Sequence, residues 1–252
     1  MSAVSANLSI PPATEAVTPF KVHVPDAALD DLRLRLKLTR WPDRELVEDW
    51  TQGVPLSAAQ SLVDYWLHHH DWRAFEARLN SYPQFRTRID GVGIYFIHAR
   101  SPHPNALPVL LTHGWPGSVA EFLGVIDRLT DPTRFGGRAE DAFDVVIPAI
   151  PGYGFSDKPT EQGWNPARIA RAWSVLMGER LGYSHWVAQG GDWGAAITTA
   201  LAGQAPQGLL AAHVTCRWWC PPNCPPTRAK KSARRWPILN AMCRTKPVTP
   251  TR

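Results

Sequence analysis

The sequence predicts an α/β fold in which helices cover a doubly wound, mostly parallel sheet. From about residue 85 onward, short apolar strand segments alternate with amphipathic helical segments, a pattern typical of βα units. Several of these apolar runs end in glycine-rich turns, as expected where a strand reaches the edge of its sheet. The 252 residues, 44% of them hydrophobic, suffice for one large domain with an appendage.

The predicted elements follow from periodicity and from the residues that begin and end helices. Pro25 begins a helix that Trp41-Pro42 ends, because proline cannot continue it, and Asn165 caps a later helix that Gly182 ends. In chain order, the predicted elements are helices 26–36, 56–68 and 71–79, a hairpin of 85–89 with 94–97, strand 109–111, helix 119–129, strand 145–147, helix 166–181, strand 185–189, an elbow helix and strand 209–214.

These elements divide the chain into four parts. Residues 1–18 carry neither the basic nor the apolar region of a signal peptide and are predicted to be a disordered tail. Residues 19–100 form a helical segment that wraps a partial core, 101–214. Residues 215–252 hold 9 of the 27 Lys and Arg, none of the 22 Asp and Glu and all four cysteines. We expect this last part to be non-native or disordered.

The most informative motif is a glycine-rich turn between a strand and a helix, Gly190-Gly191-Asp192-Trp193-Gly194. Its layout is that of a nucleophile elbow, in which small residues flank a nucleophile held in a strained conformation. Side chains at the two flanking positions would collide, and glycine removes them. The nucleophile position holds Asp192, and a carboxylate attacks carbon by displacement, leaving an alkyl ester on the enzyme. The alternative is a turn in which Asp192 only caps the next helix.

A second loop, His113-Gly114-Trp115-Pro116, also follows a strand and precedes a helix. Together with the elbow it predicts an oxyanion hole made of the backbone N–H groups of Trp115 and Trp193. These donors would stabilise negative charge on the Asp192 carboxyl group while water attacks its ester. We interpret His113 as a structural histidine that binds loop backbone, and Trp115 could also be a core aromatic residue.

No metal or cofactor site is predicted. The run His68-His69-His70 ends a helix, where adjacent side chains point in different directions, so it reads as a solvated helix end. Cys216, Cys220 and Cys224 are interrupted by prolines and lack a matching second pair, which disfavours a zinc site. A basic tail could bind nucleic acid, but a charge block without a fold is more often disordered.

The composition also bears on the compartment. The sequence has no apolar run of 18 residues, so no membrane span is expected. Residues 1–214 contain no cysteine, and this part of the chain therefore needs no disulfide. Both observations favour a cytoplasmic location.

The motifs resemble those of epoxide hydrolases of the microsomal type, including bacterial members without a membrane anchor. The resemblance covers about residues 20–214. It is carried by Arg40-Trp41-Pro42-Asp43, Asp49-Trp50-x-x-Gly53-Val54-Pro55, Asp71-Trp72-Arg73, Leu79-Asn80, Pro83-Gln84-Phe85, Ile97-His98, Thr112-His113-Gly114-Trp115-Pro116-Gly117-Ser118, Ile150-Pro151-Gly152-Tyr153-Gly154-Phe155-Ser156 and Gly190-Gly191-Asp192-Trp193-Gly194. The elbow is shared with haloalkane dehalogenases, whereas the Trp-Pro segment is typical of epoxide hydrolases.

The resemblance implies an α/β-hydrolase fold and a small-molecule epoxide as substrate, without a cofactor. It implies that Asp192 opens the epoxide, that two lid tyrosines protonate the leaving oxygen, and that a later carboxylate and a late His activate water to release a diol. The sequence departs from this pattern at Thr215. No Asp or Glu follows Asp192, and His213 is the one later His. We interpret 215–252 as a frameshifted segment of a truncated family member, with a genuine basic tail as the alternative.

The sequence therefore favours an epoxide hydrolase family member that turns over poorly or not at all. Without a base, an ester on Asp192 should persist, since losing one triad member costs several orders of magnitude in rate. Two alternatives remain open: a haloalkane dehalogenase-like hydrolase, and a non-enzymatic protein with a basic binding tail. The oligomeric state and the identity of the epoxide do not follow from the sequence.

Overall fold

A seven-stranded mixed sheet forms the centre of the computed structural model, which describes residues 13–215. The strands are β1 (Thr18–Pro19), β2 (Gln84–Ile89), β3 (Val92–Ala99), β4 (Leu107–Thr112), β5 (Phe143–Pro148), β6 (Trp186–Gly190) and β7 (Leu209–Val214). The α-helices are α1 (Asp26–Lys37), α2 (Leu56–His68), α3 (Trp72–Leu79), α4 (Ile126–Thr130), α5 (Pro166–Val175) and α6 (Trp193–Gln204).

The order of strands across the sheet is β1-β2-β3-β5-β4-β6-β7. Strands β5, β4, β6 and β7 are parallel to one another, whereas β1, β2 and β3 form an antiparallel meander that joins β5 in antiparallel register. The predicted α/β fold, with helices on both faces of one sheet, is confirmed. The expectation of a mostly parallel sheet holds for the part that carries the elbow, because each parallel connection there passes through a helical segment.

The two faces of the sheet pack against different helices, as a doubly wound fold requires. On β4, Leu110 points into one apolar layer, while Val109 and Leu111 point into the other. The first layer includes Trp173 of α5 and Ile197 of α6, and the second includes residues of α1, α3 and α4. This alternation has the period of two that a strand imposes on its side chains.

The helical segment before the sheet has the predicted three helices. The bounds of α1, α2 and α3 agree with the prediction to within one residue, and the Asp71 carboxylate caps α3 by accepting the N–H of Ala74. No residue of α2 is buried within the described part of the chain, and its apolar side chains Leu62 and Trp66 are exposed.

Two predicted helices differ from the observed ones. The helix predicted over 119–129 is wrong as one element, because a 3₁₀ turn at Val119–Phe122 and α4 are separated by a turn that contains Gly124. Glycine in a helix interior costs about 1 kcal/mol relative to alanine, which favours a break there. The helix predicted over 166–181 is α5 followed by a π-helical turn, Leu176–Arg180. Asn165 caps α5 as predicted, and Gly182 follows with a φ of 72°.

The predicted disordered tail, 1–18, is wrong for residues 13–18. Thr18 pairs with Arg86 at the edge of the sheet, and the hydroxyl group of Thr87 donates a hydrogen bond to the carbonyl oxygen of Glu15 (2.7 Å). The pairing involves only two strand residues, too few to leave an alternating pattern in the sequence. The rest of this tail, residues 1–12, and the predicted basic tail beyond Thr215 lie outside the described residues.

Candidate active site

The turn between β6 and α6 presents Asp192 in a strained backbone conformation. Its φ of 51° and ψ of −126° lie in a region that residues with a side chain rarely adopt. A Cβ atom on Gly190 would overlap the carbonyl oxygen of Gly194, and one on Gly194 would overlap that of Thr112. The two flanking glycines therefore permit the close approach of backbone on which the elbow depends, as the motif predicts.

The loop at 113–117 lies beside the elbow because β4 and β6 are neighbouring parallel strands whose ends, Thr112 and Gly190, are paired. The Trp115 N–H donates a hydrogen bond to Oδ1 of Asp192, with 2.7 Å between the two atoms. A Cβ atom on Gly114 would lie 2.5 Å from Cβ and 2.6 Å from Oδ1 of Asp192, so only glycine fits here. The peptide bond between Trp115 and Pro116 is cis.

Two backbone amides favour the ionised form of Asp192. Hydrogen bonds from the N–H groups of Trp115 and Trp193 hold the pKa of this carboxyl group below its ordinary value and outweigh the opposing effect of desolvation. The structure thus brings together the three residues assigned to nucleophile and oxyanion hole from the sequence. It also places an anionic oxygen at the position where such a hole binds negative charge.

The indole rings beside the carboxylate are exposed. Trp115 is 64% and Trp193 53% exposed, so the alternative reading of Trp115 as a core aromatic residue is wrong. Its amide faces Asp192 while its ring lies at the protein surface. Exposed rings next to a nucleophile provide apolar surface that a small organic molecule can contact.

His113 is buried and binds backbone on both sides of its ring. Its Nε2 atom accepts the N–H of Ile150 (3.1 Å), and its Nδ1 atom lies 2.9 Å from the carbonyl oxygen of Gly114. Since Nε2 is the acceptor, Nδ1 carries the proton and donates it to Gly114. Burial lowers the pKa of His113, which keeps the ring neutral. The geometry is that of a histidine that ties the loop to the segment after β5, without contact to the nucleophile.

Sequence reasoning missed the partners that hold this loop in place. Ile150 contributes through its backbone N–H, and Tyr153 contributes an edge-on ring contact to His113 with 5.5 Å between ring centroids. Glu121 lies over Gly117, where a Cβ atom would overlap its carboxylate. Every residue except proline has a backbone N–H group, so the sequence does not show which one binds His113. The structure shows it, because it brings the two distant segments together.

The other candidate residues do not converge on this site. His68 ends α2 with its side chain exposed, and the neighbouring His69 and His70 are exposed too. Within residues 13–215, no group of three or more His, Cys, Asp or Glu side chains could hold a metal ion. In the same part of the chain, no helix combines the length and apolar character needed to cross a bilayer.

The sheet, the elbow and the amide donors define the chain as an α/β-hydrolase. Residues 108–237 match the family model described as alpha/beta hydrolase fold, and residues 17–122 match the one described as Epoxide hydrolase N terminus. The first match extends past Val214, where the sequence motifs end. With these matches and the relatives below, the chain belongs to the epoxide hydrolase family of α/β-hydrolases.

Two curated relatives illustrate the similarity. The chain is 60% identical over 219 residues to a protein of Stigmatella aurantiaca (strain DW4/3-1) named "Putative epoxide hydrolase", covering 87% of the chain and 50% of that protein. It is 38% identical over 204 residues to "Epoxide hydrolase 1" of Oryctolagus cuniculus, covering 79% of the chain and 45% of that protein. The chain thus spans about half the length of the curated relatives it matches.

Solved structures show the same fold. The epoxide hydrolase of Aspergillus niger superposes with a TM-score of 0.71 at 33% identity, covering 87% of this chain and 57% of that one. The juvenile hormone epoxide hydrolase of the silkworm Bombyx mori superposes with a TM-score of 0.70 at 33% identity, covering 80% and 53%. In each case the match accounts for somewhat more than half of the solved chain.

Proposed function

We propose that Asp192 opens the ring of a small-molecule epoxide by attack on carbon. The observation that carries this proposal is the hydrogen bond from the Trp115 amide to Oδ1 of an exposed, strained aspartate. This donor fixes one carboxylate oxygen and leaves the attack to the other, Oδ2. The family membership supports an epoxide as the electrophile.

The first step forms one bond and breaks another. A lone pair of Oδ2 forms an ester bond to a ring carbon, and the bond between that carbon and the ring oxygen breaks, leaving an alkoxide that takes up a proton. No leaving group departs, because the ring oxygen stays attached to the second carbon. The ester on Asp192 therefore carries the whole mass of the epoxide.

The second step is hydrolysis of this ester. Water attacks the Asp192 carboxyl carbon, and the negative charge that develops on its oxygen is stabilised by the Trp115 and Trp193 amides before the diol leaves. This attack needs a base to accept a proton from water. The resemblance assigns this role to a late His assisted by a carboxylate, and because no Asp or Glu follows Asp192 in the 252 residues, we expect the ester on this chain to persist.

Intact-mass spectrometry with styrene oxide tests the proposal. We expect the 252-residue chain to gain the mass of one epoxide molecule slowly, and peptide mapping to place it on Asp192. Asp192→Asn is expected to abolish the adduct, because a neutral amide is a poor nucleophile. Diol released per chain should stay below one equivalent.

Asp64→Asn serves as the matched control, since Asp64 is an exposed carboxylate of α2 outside the site. It should leave the adduct unchanged. An adduct that survives in Asp192→Asn, or none on the unmodified chain after prolonged exposure to excess epoxide, contradicts the proposal. Multiple turnovers would refute the expected persistence of the ester. A haloalkane probe distinguishes the dehalogenase alternative, because there halide is released and only the alkyl group is added.

A further inference from the structure

A cavity of about 550 Å³ lies at the opposite end of the sheet from Asp192. It is lined by Val17, Pro83, Phe85, His98, Arg100, Arg180 and Leu181. Arg100 follows the end of β3, which is antiparallel to β5, and Leu181 precedes the start of β6. The cavity therefore lies at the amino ends of the parallel strands, whereas Asp192 follows the carboxyl end of β6. Its volume is within the range of small-molecule sites, roughly 300–1,000 Å³.

Arg180 is a mostly buried cation without a close partner. Its side chain is 20% exposed, and its buried Nε atom has no hydrogen-bond partner among the described residues. Glu15 and Glu179 approach its terminal nitrogens only to 3.6 and 3.7 Å, beyond good hydrogen-bond distance, and both carboxylates are largely exposed. A guanidinium group in this state is stabilised by any anion that reaches it.

Arg100 adds a second cation at the same cavity. It is exposed, and within residues 13–215 the structure gives it no ion pair and no hydrogen bond. The third polar residue, His98, does not supply charge: its Nε2 atom lies 2.7 Å from the Tyr183 hydroxyl group, which itself donates to Asp144 (3.0 Å). The remaining lining residues are apolar.

The backbone near Arg180 is unusual. Residues Leu176–Arg180 form a π-helical turn, closed by a hydrogen bond from the Leu181 N–H to the Leu176 carbonyl oxygen (3.0 Å). Such turns are rare and occur frequently at functional sites. This one places Arg180 and Leu181 together on the cavity wall.

We propose that this cavity binds a small carboxylate that carries an apolar tail, at a site separate from the Asp192 site. The two guanidinium groups match a carboxylate, which each can bind through paired N–H donors. Val17, Phe85 and Leu181 provide the surface that the tail covers. Inorganic phosphate offers charge but no tail, and a neutral alcohol offers a tail but no charge, so neither fits both parts of the cavity.

Calorimetric titration of the 252-residue chain with octanoate tests the assignment. We expect octanoate to bind saturably. Octan-1-ol and inorganic phosphate should each bind about tenfold or more weakly, because the first lacks the charge and the second lacks the apolar tail. Arg100→Gln and Arg180→Gln should each weaken octanoate binding by about tenfold. Glu15→Gln removes a carboxylate that competes with octanoate for Arg180, so it should leave octanoate binding unchanged or strengthen it. Asp192→Asn should bind octanoate as the unmodified chain does.

Arg40→Gln is the matched control, since Arg40 is exposed and does not line the cavity. Arg100 is exposed too, so Arg100→Gln keeps the test valid if Arg180→Gln unfolds. The assignment is overturned by an absence of saturable octanoate binding, by equal binding of octanoate and octan-1-ol, or by octanoate binding that Arg100→Gln leaves unchanged. Phosphate binding as tight as octanoate binding would also overturn it.

Discussion

At the scale of the residue, Asp192 combines an exposed carboxylate with a strained backbone conformation that only small neighbouring residues permit. The strain at its φ of 51° is permitted by glycines on either side, and Gly114 permits the approach of the loop that carries the Trp115 amide. The chemical environment of the carboxylate thus depends on positions that have no side chain. Their effect on reactivity can be measured separately from their effect on stability.

Gly114→Ala is expected to slow ester formation with styrene oxide by about 100-fold, because the added methyl group would lie 2.5 Å from Cβ of Asp192 and displace its carboxylate from the attacking position. The rate of adduct formation by mass spectrometry measures this effect. Gly124→Ala is the matched control, since a Cβ atom there meets nothing within 4 Å. Equal adduct rates in the two variants would show that the close approach of Gly114 does not set the reactive position of Asp192.

The low pKa of Asp192 has a further consequence for the same reaction. Because amide donors lower this pKa, the carboxylate is ionised throughout the neutral range, and the rate of ester formation should not change between about pH 5 and 8. The rate should fall only when the pH drops below the ordinary Asp value of about 3.9. Initial adduct rates across this range measure the profile, and a midpoint near neutrality would contradict the assigned donors.

At the scale of the element, β7 is an edge strand of the described sheet. It pairs with β6, and it is the last strand in the order of the sheet formed by residues 13–215. Leu210 on this strand is 59% exposed. Unpaired strand edges with apolar side chains promote association between chains.

Leu210→Lys is expected to increase the soluble fraction of the purified chain, because a charge on an edge strand disfavours pairing with a second chain. Light scattering at increasing protein concentration measures the association. Leu46→Lys is the control, since Leu46 is also exposed but lies in a loop outside the sheet. If both substitutions reduce scattering equally, exposed apolar area in general, and not the edge of β7, causes the association.

At the scale of the whole molecule, a partly buried polar network joins three segments that are distant in the sequence. His98 on β3 contacts Tyr183 before β6, and Tyr183 donates to Asp144 on β5, which also accepts the Ser101 N–H (2.8 Å). Burial lowers the pKa of His98 to about 4, and the nearby Asp144 charge opposes this only in part. The folded protein therefore holds His98 neutral where the unfolded chain would bind a proton.

This linkage predicts how stability depends on pH. Above the unfolded pKa of about 6.5, His98 is neutral in both states and does not reduce the free energy of unfolding. As the pH drops from about 6.5 towards 4, the unfolded chain binds a proton at this residue and the folded protein does not, so the free energy of unfolding falls by about 3 kcal/mol. Urea unfolding at pH 7.5 and 4.5 measures the difference. His98→Gln should reduce the dependence, whereas His185→Gln, at an exposed histidine, should leave it unchanged.

The local patterns of the sequence determined more of the elbow than of its surroundings. Glycine spacing around Asp192, the strand–turn–helix segment of the elbow and the capping residue Asn165 are local signals, and the structure has the elements that they predict. The tail boundary at residue 18 and the helix over 119–129 were predicted wrongly. In both, contacts between distant segments or a local break outweigh the periodicity of a short window.

By itself, the sequence determined the α/β fold, the elbow at Asp192 and the two tryptophan amides as candidate donors, because each depends on the residue types within a few positions. Only the tertiary structure decided that the Trp115 amide reaches Oδ1, that the backbone N–H of Ile150 binds His113, and that Arg100 and Arg180 line one cavity remote from Asp192. These contacts join positions far apart in the chain. Their distances follow from the register of neighbouring strands, which no short stretch of residues specifies.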